Sequence, residues 1–235
     1  MKITLAFDVY GTLVDPCGMA AHLAAECQDT AEQFAEFWRE KQLEYSFRRG
    51  LMQNYADFAA CTRAALDFTC ERFARSISDK RKKELLELYQ TLPVFSDVER
   101  SLRSLSEKYR VFAFSNGRPE EVRSVLAHGK IEQFFIGIIS AHEVRSFKPN
   151  PAVYAHARRV SGAWSSPFWV VSSNPWDVIG ARSAGLSAAW VQRSDKKIFD
   201  PWGIDPSLIV HSLSELRPAV EQYCECCGSN FAILE

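Results

Sequence analysis

The stretch Ile3-Thr4-Leu5-Ala6-Phe7-Asp8-Val9-Tyr10-Gly11-Thr12-Leu13 opens on a short apolar run and breaks into a carboxylate, a glycine and a threonine. Such a run, Ile3 to Phe7, predicts a strand covered on both faces. Gly11 and Thr12 let the backbone turn sharply just beyond it. In an open parallel sheet, ligands bind outside the carboxyl ends of the strands. Asp8 therefore stands where a chemically active residue belongs. An aspartate that merely caps a turn gives the same pattern, and these residues alone do not separate the two.

Further along the chain, Val111–Phe114, Phe168–Val171 and Ala188–Val191 read as buried strands of the same kind, with Ile136–Ile139 as a fifth. Helical patterns lie between them. Ser96 to Glu99 is a capping-box pattern opening a helix with Val98, Leu102 and Leu105 on one face. Asn150–Val160 and Val178–Ala184 read as further helices, and Ser212 to Glu215 is a capping box before the last one. Alternating strand and helix predicts an α/β fold with a parallel sheet. From Pro16 to Pro93 there is no convincing strand. Thr30 to Gln33 reads as a capping box before a long helix carrying Phe34, Phe37, Trp38 and Leu43, and Ala56–Phe73 and Lys80–Leu92 read as helices too.

The chain has 235 residues, 47% hydrophobic and 24% charged, with a net charge of -1. That balance gives no electrostatic attraction for nucleic acid or an anionic membrane, so neither is an expected partner. No apolar run is long enough to span a bilayer, and Asp8 comes too early for a secretory signal, so a cytoplasmic location is expected. Seven scattered cysteines fit a reducing compartment. Cys61 and Cys70 read as packing residues. The run Cys224-Glu225-Cys226-Cys227-Gly228 has no histidine nearby to complete a zinc set and reads as a loosely packed tail. The five histidines fall in no ligand or triad spacing.

Asp8-Val9-Tyr10-Gly11-Thr12-Leu13 resembles the first motif of the haloacid dehalogenase superfamily. Phe114-Ser115-Asn116-Gly117 resembles its second motif, Ser146-Phe147-Lys148-Pro149 its third, and Val171 to Asp177 (VSSNPWD) its fourth. Tyr10 stands where the superfamily's phosphatases carry a second aspartate, and Asp177 is the one acid in Ser172 to Asp177. Magnesium prefers several oxygen ligands including carboxylates, so a magnesium phosphatase is the weaker alternative. Both departures resemble the L-2-haloacid dehalogenases, which use no metal. So does the segment Phe37 to Tyr45 (FWREKQLEY), similar to that branch's cap helix.

This resemblance implies a Rossmann-like parallel-sheet core, residues 1–15 and 93–235, with an inserted helical cap, residues 16–92. It implies an enzyme without cofactor or metal, a small carboxylate substrate and a homodimer. Asp8 is the implied nucleophile, forming an ester with C2 of the substrate as halide leaves. Lys148 keeps Asp8 ionised, and Thr12 orients it. Arg39 and Asn116 cradle the halide. Ser115 and the backbone N–H groups after Asp8, at Val9 and Tyr10, bind the substrate carboxylate. Asp177, with Asn174, Ser172 and Lys148, activates the hydrolytic water, and Tyr154 bonds near Lys148. Tyr10, Leu43, Phe58 and Trp176 form an apolar pocket. Read without the resemblance, Phe58 and Trp176 are ordinary core aromatics and Arg39 a solvated helix residue.

Two positions depart from the branch pattern. Pro175 stands where it commonly has alanine or glycine, and Glu40 where it commonly has a glutamine that approaches the substrate. A carboxylate there suits a substrate bearing an ammonium group. A related branch opens the ring of L-azetidine-2-carboxylate by the same aspartyl-ester route, which makes that the alternative substrate.

Overall fold

The computed structural model describes residues 2–228. Strand β1 (Thr4–Phe7) is buried along its whole length. After it come α1 (Met19–His22), α2 (Ala24–Cys27), α3 (Ala31–Leu51), α4 (Phe58–Arg72) and α5 (Asp79–Leu88). The chain then alternates: α6 (Val98–Lys108), β2 (Arg110–Ser115), α7 (Pro119–His128), β3 (Gly137–Ser140), α8 (Pro151–Ser161), β4 (Phe168–Ser172), α9 (Pro175–Ser183) and β5 (Ser187–Val191). It closes with β6 (Leu208–Val210) and α10 (Leu216–Gly228). The six strands form one sheet in the order β3-β2-β1-β4-β5-β6, every pair parallel. β1 thus lies at the centre with β2 and β4 as neighbours. The loops after these three strands meet on one edge of the sheet.

The five expected strands form, each shifted or extended by a residue or so. The sixth, β6, was not expected from the sequence. Three residues at a sheet edge, with Ile209 half-exposed, give no usable period. The expected capping boxes are altered. Thr30 Oγ1 turns back to the Cys27 carbonyl instead of capping α3. At α6, Asp97 occupies the cap position, but its carboxylate accepts from Arg193, Ser212 and the Leu213 N–H instead. Ser212 caps a short 3₁₀ turn, Leu213–Glu215, that leads into α10. The cysteine-rich segment is helical, not loose, and Cys224 packs against the core.

Between β1 and β2 the segment 16–92 carries helices but no strand. Its longest members, α3 and α4, pack side by side, and Trp38 Nε1 donates to the Thr62 carbonyl at 2.9 Å. Its outgoing and returning chains run together: Val14 pairs antiparallel with Val94, and Asp15 N–H donates to the Pro93 carbonyl. Phe34 and Trp38 of α3 belong to the same apolar cluster as Phe7 and Val171 of the sheet. The helical segment is therefore seated directly on the sheet edge where the strand-end loops meet.

Candidate active site

Asp8 follows β1 directly, and its backbone N–H still bonds to Val171 of β4. The turn that follows is tight. Gly11 has φ +89°, a conformation that side chains disfavour, and a Cβ there would lie 3.3 Å from Ser173 Oγ. The turn brings Thr12 back onto the aspartate: Thr12 Oγ1 donates to Asp8 Oδ2 at 2.8 Å, and Asn174 Nδ2 donates to the same oxygen at 2.8 Å. Thr12 is itself fixed, since its hydroxyl accepts from Ser173 N–H and its carbonyl accepts two bonds from the Arg193 guanidinium.

The other oxygen, Asp8 Oδ1, accepts from Lys148 Nζ at 2.8 Å. The same ammonium donates to Asp177 Oδ2 at 2.7 Å and to the Phe114 carbonyl at 3.2 Å. Lys148 is 1% exposed and Asp177 fully buried. One cation thus joins two acids that lie 169 positions apart in the chain. Burial alone would push the Lys148 ammonium down, but Asp177 and Asp8 outweigh it and hold it above its ordinary value. Asp177 is pushed above the usual carboxylate range, first by burial and also by the negative Asp8, against the pull of Lys148. Tyr154 donates to Asp177 Oδ1 at 2.8 Å. Burial and the neighbouring acid raise its phenol well above the ordinary value, so it remains a neutral donor. Its seat depends on Gly180, where a Cβ would lie 2.5 Å from the phenol oxygen.

Of the remaining expected residues, Asn116 Oδ1 accepts from the Lys148 backbone N–H at 2.8 Å. Ser115 Oγ accepts from Gly117 N–H, and Ser172 Oγ from Asn174 N–H. Both serines are buried. Val9 is buried, and its carbonyl closes the turn by accepting from Thr12, Leu13 and Val14. Beyond the ends of β1 and β2, Tyr10, Arg39 and Phe58 line a cavity of about 240 Å³ together with Gln42, Thr62, Lys83, Glu87, Tyr89, Gly117 and Glu121. Arg39 Nη1 donates to Gln42 Oε1 at 2.5 Å. Leu43 packs against Phe58 and Phe147 outside that lining. Trp176 is half-buried, its ring against Phe47 and 6.0 Å from Lys148 Nζ.

Glu40 is the exception. It is exposed and does not line the cavity. Adjacent helix residues point about 100° apart, so a helix that turns Arg39 inward turns Glu40 outward. Sequence reasoning also passed over Gln42, Thr62, Ser173 and Arg193. Gln42 was within reach of it, being three residues from Arg39 on one helix face. Arg193 carried no such signal.

Residues 4–185 match the model of the haloacid dehalogenase-like hydrolases. The chain belongs to this family. The hydrolase is 33% identical over 225 residues to an (S)-2-haloacid dehalogenase of Pseudomonas sp. strain YL, covering 95% of each chain. It is 33% identical over 207 residues to haloacetate dehalogenase H-2 of Moraxella sp. strain B, covering 88% of this hydrolase and 92% of that relative. In structure it resembles the L-2-haloacid dehalogenase of Xanthobacter autotrophicus solved with chloropropionic acid covalently bound. The TM-score is 0.89 and the identity 28%, with 94% of this hydrolase and 99% of that chain covered.

Proposed function

We propose that this hydrolase converts short L-2-haloacids to 2-hydroxy acids through an ester on Asp8. The carrying observation is the shared cation. Lys148 fixes Asp8 Oδ1, two neutral donors fix Oδ2, and a second buried acid stands on the far side of the same ammonium. Held this way, Asp8 is an oriented anion with low freedom of approach. One oxygen attacks C2 of the substrate. The carbon–halogen bond breaks, and the halide departs with the electron pair toward Arg39 and Asn116. Ser115 and the N–H groups after Asp8 receive the substrate carboxylate. Asp177 then takes a proton from water, helped by Asn174 and Ser172. The hydroxide adds to the Asp8 carbonyl carbon, the ester C–O bond breaks on that carbon's side, and the proton goes to the product oxygen. Phe58 and Tyr10 on the cavity wall, with Trp176 beside Lys148, supply apolar surroundings that exclude water during the first step.

The relatives named for (S)-2-haloacids and haloacetate support this substrate class. The ring-opening alternative drew on Glu40 beside the substrate, and an exposed Glu40 withdraws that support. Magnesium fits the site poorly: Asp8 and Asp177 already spend their oxygens on Lys148, Thr12, Asn174 and Tyr154. We read residues 16–92 as a cap over a core of residues 1–15 and 93–235, working in the cytoplasm as a homodimer. Cys27, Cys61 and Cys70 as buried thiols support the first location, and exposed Leu51 and Met52 at the C-terminal end of α3 support the second.

The test is single-turnover mass spectrometry in ¹⁸O water with L-2-chloropropionate. The label is expected on Asp8, and label only in the product overturns the ester route. Asp8→Asn should abolish turnover with the fold intact, whereas Asp177→Asn should let the ester accumulate. Exhaustive chelation should leave the rate unchanged. A loss that magnesium restores would instead favour the phosphatase.

A further inference from the structure

We infer that Gln42 and Thr62 form a positioning relay that holds the Arg39 guanidinium at the cavity wall; what Arg39 does there rests on the dehalogenase reading above. The relay starts from backbone. Thr62 Oγ1 donates its single proton to the Phe58 carbonyl one turn back in α4, at 2.8 Å. Its lone pairs are then left to accept, and they accept from Gln42 Nε2 at 2.5 Å. That fixes which way the amide points. With the Gln42 amide nitrogen committed to α4, its oxygen faces Arg39 and accepts from Nη1 at 2.5 Å. Thr62 is held from its other side as well, because its carbonyl accepts from Trp38 Nε1. The direction of every bond is thus set by the helix, and the amide has no second orientation that satisfies all partners.

Burial argues that this arrangement serves more than packing. Gln42 is 1% exposed and Thr62 5%. A buried amide is costly unless bonded at both ends, and a leucine would fill the same space without that demand. What the amide supplies is a neutral acceptor. Glu87 and Glu121 share the cavity with Arg39, but among the described residues no carboxylate forms an ion pair with it, so the partner that holds the guanidinium is neutral. A glutamate at position 42 would hold it equally well and neutralise it. An anion leaving the reaction then meets a cation that is fixed in place by a neutral partner. Arg39, Gln42, Phe58 and Thr62 all face the same cavity, so the relay sits where its effect would be felt.

The experiment uses the full chain as wild type and as the Gln42→Leu, Thr62→Val and Thr62→Ser variants, with L-2-chloropropionate as substrate and bromide and lactate as product-side inhibitors. Loss of a hydrogen bond to a charged group predicts kcat lower by about tenfold or more in Gln42→Leu. Bromide inhibition should weaken by about as much, with lactate inhibition changed less than twofold. Thr62→Val should shift both readouts in the same direction, and Thr62→Ser, which keeps the hydroxyl, should restore wild-type values. Bromide and lactate inhibition weakening together would show a general loss of structure and overturn the relay, as would wild-type bromide inhibition in Gln42→Leu. If wild type itself releases no halide, the dehalogenase reading falls separately. The relay is then decided by a crystal structure of Gln42→Leu: a displaced guanidinium supports it, and an unmoved one overturns it.

Discussion

At the residue scale, Lys148 carries more than one acid's worth of electrostatic demand. Removing one partner from a buried charge cluster leaves the others uncompensated, at a cost of about 3–5 kcal/mol. Lys148→Met should therefore lower the urea midpoint at pH 8. The variant should regain part of that loss at pH 5, because a carboxylate left without its cation is relieved by taking a proton. A midpoint equally low at both pH values would count against the bridging role. Glu40→Gln, by contrast, should change neither stability nor the specificity constant for any substrate beyond the small effects of a surface exchange. Kinetics on a haloacid and on azetidine-2-carboxylate check this. Asp8, Lys148 and Asp177 were legible because each stands in a motif bordering a strand end or tight turn. Glu40 was misread because a motif aligns neighbours in sequence, while a helix separates them by direction. The relay residues escaped for a related reason: what selects Thr62 is α4 lying alongside α3, and that contact is written in no local pattern.

At the scale of elements, the loop after β5 is tied to the loop after β1 through Arg193, whose guanidinium bridges the Thr12 carbonyl and the Asp97 carboxylate. Burial would raise Asp97, but the hydrogen bonds and charge of Arg193, with the Leu213 N–H and Ser212 hydroxyl, hold it below the usual carboxylate range. A depressed acid stabilises the folded state fully above its unfolded value, near pH 3.9, and loses that contribution as the pH falls through its folded value. Asp97→Asn should thus be less stable than wild type at pH 7, the gap closing below about pH 4. Urea unfolding across that range measures it, and a gap that stays constant would remove Asp97 from the account. The same residue explains a failed sequence reading. The capping box expected to start at Ser96 does not form: Asp97 takes the cap position, and its carboxylate is occupied by residues about a hundred positions away. The strands were readable because burial on both faces leaves a plain apolar run. β6 was not, since an edge strand of three residues presents no such run.

At the scale of the whole molecule, exposed Leu51 and Met52 lie together at the C-terminal end of α3, the longest helix of the 16–92 segment. Sedimentation velocity at micromolar concentration should show a species of twice the chain mass, and replacing Leu51 and Met52 together with serine should shift it toward monomer. A monomer in both proteins would end the dimer reading. The placement of β1 between β2 and β4 has a further result, one that concerns time. The four corners of the site come from the loops after β1 and β2, from the loop before α8 and from the start of α9, and Asn174 reaches Asp8 across 166 positions. No local piece of the chain contains a working fragment of it. Contacts so distant in sequence form late, after most of the loop-closure entropy has been spent. A growing chain accordingly remains chemically inert until β4 has docked beside the first strand it made. Recovery of activity during refolding then reports completion of the central sheet, and it should lag behind the return of helical signal from the locally folded α3 and α4.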